Sequence, residues 1–332
     1  MNKTHRLGVI GGGAWGTALA QTASAAGNAV TIWAREPEVI ADINGNHRNE
    51  LFLPGVPLDK NLVATGDLTE IAAHDTILLV APAQHLRSVA ADLSGRVAAG
   101  TTVVICAKGL EQATGKLLGQ VLAESLPEAT PAVLSGPSFA ADVARLLPTA
   151  LTLAVADPDK GRSLAERLSG RHFRIYWSDD LIGTQLGGAV KNVLAIAAGI
   201  VDGRRLGASA HAALVTRGFA ELRRFSEALG ARTDTMMGLS GLGDLLLTCG
   251  STQSRNMSLG RALGEGQTLA DVLGSRRSVA EGVYTAAAVV RRANELGIEM
   301  PIATAVQAIV EGRITVDQAI DGLLSRPLKA EA

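Results

Sequence analysis

The sequence predicts an α/β protein. A doubly wound domain with a mainly parallel sheet comes first, and an all-helical domain follows. Three observations carry this expectation. Short apolar, β-branched runs alternate with helix-like stretches as far as about Asp179. Runs such as "DTILLVAP" (75–82) and "TTVVICAKG" (101–109) are apolar almost throughout, which suits strands covered on both faces. Beyond Asp179 the strand signals nearly vanish. The expected division is 1–190 for the sheet domain, 191–325 for the helical domain and 326–332 for a loose tail.

"RLGVI" (6–10) reads as the first strand, and residues 14–26 as an alanine-rich helix stopped by Gly27. "AVTIWA" (29–34) is short and β-branched, hence a second strand. The runs at 75–82 and 101–109 follow as strands, with helices near 36–44, 83–93 and 115–125 between and after them. "PAVLSGPSFA", "TALTLAVA" and "RHFRIYWS" read as further strands. In the second half "LIGTQLGGAVKNVLAIAAGIVDG", "SAHAALVTRGFAELRRFSEALG", "EGVYTAAAVVRRANELG" and "PIATAVQAIVEG" are helix-like. No low-complexity tract separates the halves, so the junction is expected to be packed.

Composition excludes several classes. The 332 residues are 47% hydrophobic and 19% charged, with a formal net charge of −1, which advertises no basic face for nucleic acid. Two cysteines, Cys106 and Cys249, form no CxxC pair and no disulfide framework, which fits a reducing, cytoplasmic setting. Six scattered histidines show no metal-ligand spacing, so no metal is expected. "LGVI" is too short for a signal-peptide core, and no fully apolar run reaches the ~18 residues of a membrane span.

The opening "VIGGGAWGTALA" places Gly11, Gly13 and Gly16 as G-x-G-x-x-G between a strand and a helix. In that setting the first glycine permits a tight turn and the second lets backbone approach a pyrophosphate. The third lets the helix pack closely on the strand. The second strand ends in "IWAREP". Arg35 would accommodate a 2′-phosphate and Glu36 would accept a ribose hydroxyl, so the order favours NADP with NAD tolerated; a solvated surface charge is the plain alternative for Arg35.

Four further places can carry chemistry. Lys191 lies among small apolar residues, where a charge is expensive without a partner. Gly187, Gly188 and Ala189 are expected to let a cofactor or substrate approach it, unless Lys191 simply snorkels to solvent. Asp244, in "GLSGLGDLLLTC", needs a cation such as Lys191, or else caps the helix after it. Ser254, Arg255 and Asn256 open a helix and offer an anion site, with plain capping as the alternative. Lys108, Gly136, Pro137 and Ser138 follow strand ends, where open α/β sheets bind ligands.

Together the strings "GGGAWGTALA", "VAPAQ", "AKGLE", "SGPSFA", "GAVKNVLAIAAGIVDG", "TRGFAEL", "GLSGLGDLLLTC", "SRN" and "EGVYTA" resemble the bacterial-type NAD(P)-dependent sn-glycerol-3-phosphate dehydrogenase family, in its order, over residues 8 to about 286. The resemblance implies a Rossmann domain, a helical domain similar to that of 6-phosphogluconate dehydrogenase, and interconversion of dihydroxyacetone phosphate and sn-glycerol 3-phosphate for glycerophospholipid synthesis. It implies Lys191 as proton donor and acceptor. It implies Lys108, Gly136, Ser138, Lys191, Asp244, Ser254, Arg255 and Asn256 as substrate contacts. For NADP or NAD it implies the glycine turn with Ala14, Trp15, Arg35, Lys108, Ala140, Arg255, Val279 and Glu281. A homodimer is left open.

Some positions depart from the family's commoner pattern. Ala14 stands where Ser is frequent, Phe52 where Tyr is, and Ser209 and His211 where Asn and a basic residue are; Cys106 and Gly250 replace hydroxyl residues. Two rival readings stay open. One is a dehydrogenase of the same build acting on a β-hydroxyacid or 6-phosphogluconate, against which "SRN" and "SGPSFA" speak. The other is a non-catalytic dinucleotide sensor.

Overall fold

The apolar runs become strands of one eight-stranded sheet in a computed structural model that describes residues 5–274, 280–328 and 330. The strands are β1 (Arg6–Ile10), β2 (Ala29–Trp33), β3 (Val63–Thr65), β4 (Thr76–Leu79), β5 (Thr102–Ile105), β6 (Thr130–Ser135), β7 (Thr149–Val155) and β8 (Phe173–Ser178). Their order is β3-β2-β1-β4-β5-β6-β7-β8. Alternation along each strand sends side chains to two cores. Leu78 and Val104 join Leu7, Val9 and Ile32 on one face; Ile77, Leu79, Val103 and Ile105 join Ile10 on the other.

Pairing is parallel from β3 through β6, but β6 and β7 run antiparallel, and β8 follows β7 in parallel. The connection from β6 to β7 holds only the five-residue helix Ala140–Ala144, which packs beside the first helix, Ala14–Ala25. The chain therefore turns back rather than crossing over the sheet, as a parallel pair requires. Several elements escape the sequence reading, among them β3, the short helices Leu68–Ala72, Ala140–Ala144, Thr233–Met237 and Leu269–Gly274, the helix Val316–Leu324, and the helix Pro158–Leu168. The last was signalled by Asp157, whose carboxylate accepts from the N–H groups of Asp159 and Lys160, with Pro158 at the first helical position.

The helical part is built around Leu181–Gly203, a 23-residue helix that runs unbroken through residue 190. Asp180 caps it by accepting from Gly183 N at 2.8 Å, and its other oxygen accepts from Arg232 N at 2.9 Å. Length and composition would let this helix cross a membrane, yet 83% of its apolar window is buried inside the protein. In the tail, Arg326 pairs with Glu299 at 3.1 Å, whereas Leu328 is fully exposed.

Glycines set how closely the central helix meets the helix Arg255–Gly264. A Cβ on Gly199 would stand 2.0 Å from Met257 O, and one on Gly260 2.0 Å from Ile196 O. The Gly199/Gly203 and Gly260/Gly264 pairs thus bring backbone against backbone. Gly199→Ala gains about 1 kcal/mol in helix propensity, but the collision forces the helices apart at about 1–3 kcal/mol. A net fall in the urea midpoint is expected, and a midpoint at or above the parent's contradicts this packing.

Candidate active site

β1 runs into the glycine-rich turn. Gly11 sits at φ +129°, where side chains rarely fit, and a Cβ on Gly16 would lie 1.8 Å from Gly11 O. A Cβ on Gly12 would come within 2.5 Å of Ala34 Cβ, so the turn also packs on the end of β2. Gly13 differs, because a Cβ there meets nothing within 4 Å. Its missing side chain leaves room before the amino end of Ala14–Ala25, which has no side-chain cap. Uncapped N–H groups and the positive end of the helix dipole suit a pyrophosphate. Ala14, Trp15 and Ala140 lie partly buried along the rim of the same core. Arg35 is exposed at the end of β2, with Nη2 3.5 Å from Glu36 Oε1.

A charged centre forms where β5, β6 and the central helix meet. Lys191 Nζ donates to Asp244 Oδ1 at 2.6 Å and to Thr248 Oγ1 at 2.7 Å. Lys108 Nζ donates to Asp244 Oδ2 at 2.6 Å and to Gly136 O at 2.9 Å. Asp244 is wholly buried, Lys191 is 6% exposed and Lys108 is half-buried, so one carboxylate away from water serves two ammonium groups. Burial pushes the Lys191 amine down to about 8; Asp244 opposes the shift and the Lys108 charge adds to it. Lys191 therefore does not snorkel. Asp244 is the first residue of the helix Asp244–Cys249, after a turn of π-helix at Leu239–Gly243, and its carboxylate meets the lysines rather than capping that helix.

The glycines beside Lys191 serve a different purpose from the one expected. A Cβ on Gly187 would lie 2.2 Å from Ser240 O, and one on Gly188 would lie 2.7 Å from Ser135 Oγ and 3.2 Å from Lys108 Cγ. The missing side chains make room for the π-turn and for the Lys108 stem, so the space is filled by protein and not left for a ligand.

Around this centre, Gly136 sits at φ +143° against Leu151, and its carbonyl also accepts from Ser138 Oγ at 3.2 Å. Ser254 does cap its helix, accepting from Met257 N at 3.3 Å. Asn256 is engaged at both ends of its amide: Nδ2 donates to Asn192 Oδ1 at 3.0 Å and Oδ1 accepts from Gly282 N at 2.9 Å. Arg255, exposed at the same helix start, acts electrostatically on Glu281. Burial raises the Glu281 carboxyl, against the Arg255 charge and the Ala83 N–H. Glu281 Oε2 and Thr285 Oγ1 are buried without hydrogen-bond partners and both face Gly109, one residue beyond Lys108. Such orphaned groups, with the open space at Gly13, fit a dinucleotide lying along this edge. Val279 lies outside the described residues.

Sequence reasoning missed Thr248 and Asn192. The signal for Thr248 was present, since it stands four residues after Asp244 on one helical face.

A glycine turn at the carboxyl edge of the parallel strands shares that edge with a buried amine delivered by a helical second part. That is the build of a dinucleotide-linked dehydrogenase. Models of the N-terminus and C-terminus of NAD-dependent glycerol-3-phosphate dehydrogenase match residues 6–160 and 180–321, and the chain belongs to that family. It is 60% identical to a glycerol-3-phosphate dehydrogenase [NAD(P)+] of Parvibaculum lavamentivorans, over 98% of each chain. It is 58% identical to one of Caulobacter vibrioides over 99% of each. Its fold superposes on the glycerol-3-phosphate dehydrogenase of Coxiella burnetii with a TM-score of 0.92 at 38% identity, over 97% of this chain and 99% of that one.

Proposed function

We propose that this chain interconverts dihydroxyacetone phosphate and sn-glycerol 3-phosphate with NADPH or NADH, feeding glycerophospholipid synthesis in the cytoplasm. The observation that carries the reading is the Lys191–Asp244–Lys108 centre, formed at the sheet edge where β1 runs into the glycine turn and β5 into Lys108. Two buried free cysteines, Cys106 and Cys249, support the reducing compartment. Arg35 inclines the choice of cofactor to NADP.

When bound, the reduced nicotinamide supplies a hydride to the carbonyl carbon. The protein must then meet charge growing on the carbonyl oxygen. Lys191 stabilises that oxyanion by its field and hands it a proton; in reverse, the neutral amine takes the proton back. Asp244 and Thr248 hold Nζ still, so no reorganisation is needed as charge develops. Arg255 and the amino end of its helix grip the substrate phosphate, which turns remote binding into orientation.

Loss of absorbance at 340 nm on mixing the protein, NADPH and dihydroxyacetone phosphate tests the reading directly. No loss would remove it, and equal rates with unphosphorylated dihydroxyacetone would remove the phosphate grip. Arg255→Ala should raise KM for the phosphorylated substrate about tenfold or more with a smaller change in kcat, as expected where a charge-assisted bidentate contact is lost. An unchanged KM contradicts the assignment.

A further inference from the structure

We propose that His211 is a positioning residue for the acid–base centre, fixing the carboxyl end of the helix that carries Asp244 and Thr248. The proposal rests on the reading of Lys191 given above. The helix Asp244–Cys249 has six residues, too few to hold its own shape. Its first residue is anchored by the two lysines. At its other end Gly250 donates its N–H to Leu246 O, and Gly250 itself has no side chain to cap with. Cys249 is 1% exposed, and its carbonyl belongs to the last turn, where no helical N–H is available.

His211 Nε2 lies 2.9 Å from that carbonyl oxygen. The oxygen can only accept, so Nε2 carries the proton and donates. His211 comes from another element, the first turn of the helix Ala208–Ala228. A single hydrogen bond thus pins the residue after Thr248 and the start of the segment that runs to Arg255. Slack at Cys249 moves Thr248 Oγ1 away from Lys191 Nζ, now 2.7 Å apart.

The test compares full-length His211→Ala and His211→Gln with the parent. Gln keeps an Nε2 donor of similar reach. His211→Ala should lower kcat about three- to tenfold, the span expected for one lost hydrogen bond, and displace the alkaline limb of the ketone-reduction profile. KM for NADPH should hold, and His211→Gln should restore kcat to within about twofold. Amide hydrogen exchange at residues 248–251 should quicken in His211→Ala, a readout that needs no substrate. Unaltered exchange overturns the tether whatever the enzyme's substrate. Faster exchange with the parent's kcat and pH limb, or equal loss in both variants, overturns the positioning role.

Discussion

Lys191→Met should lower turnover of dihydroxyacetone phosphate by ~10²–10⁴-fold while NADPH still binds, the span typical for loss of a general acid. Methionine nearly preserves side-chain volume in a site that is 6% exposed, so packing survives. Asp244 keeps Lys108 as a partner at 2.6 Å, so no carboxylate is stranded. The parent's pH dependence supplies a second arm. The amine sits at about 8 because burial outweighs the Asp244 charge. Ketone reduction uses the protonated form and should fall as pH rises through about 8; alcohol oxidation uses the neutral form and should rise over the same range. Coenzyme binding followed by fluorescence, with initial rates at 340 nm from pH 6 to 10, separates the roles. Turnover within a few-fold of the parent's in Lys191→Met would falsify the assignment.

Asp244→Asn should be the most damaging substitution to the fold at this site. The carboxylate is fully buried and receives both Lys191 and Lys108 at 2.6 Å. An amide leaves two ammonium groups without counter-charge, and removing one partner of a buried ion pair costs about 3–5 kcal/mol. Asp244 raises the Lys191 amine, so without it that amine drops below about 8 and the alkaline limb of ketone reduction moves to lower pH. Sign follows from linkage. Lys191 is depressed from 10.5 in the folded protein, so the unfolded chain binds more protons between the folded value and 10.5. The added penalty in Asp244→Asn is complete below the variant's own, lower folded value and is relieved by about pH 8, above which parent and variant carry the same linkage. Urea melts at pH 7 and pH 10 should therefore show a larger deficit at pH 7. A deficit independent of pH, or none, would show that the carboxylate does not balance these charges.

Local signals carried much of this site. The turn at Gly11–Gly16 was legible because its spacing, strand and helix all lie within a few residues of one another. Lys191 stood out because a lysine among alanines and glycines is costly to bury alone. Partnership was less legible. Asp244 suits either a helix cap or a counter-ion, and nothing in the sequence chooses between them. Gly187 and Gly188 were identified as places lacking bulk, but what fills the space, the Ser240 carbonyl and the Lys108 stem, comes from distant chain. The reversal between β6 and β7 escaped notice because apolar runs look alike in either direction.

By itself the sequence determined the longer strands and helices and their order, the phosphate-ready turn and the family, all properties of residue type and short spacing. Tertiary structure alone decided which charges share a partner. Asp244 is 53 residues from Lys191 and 136 from Lys108. Coulomb energy and desolvation depend on separation through space and on exclusion of water, and neither exists until the helices close over the sheet edge.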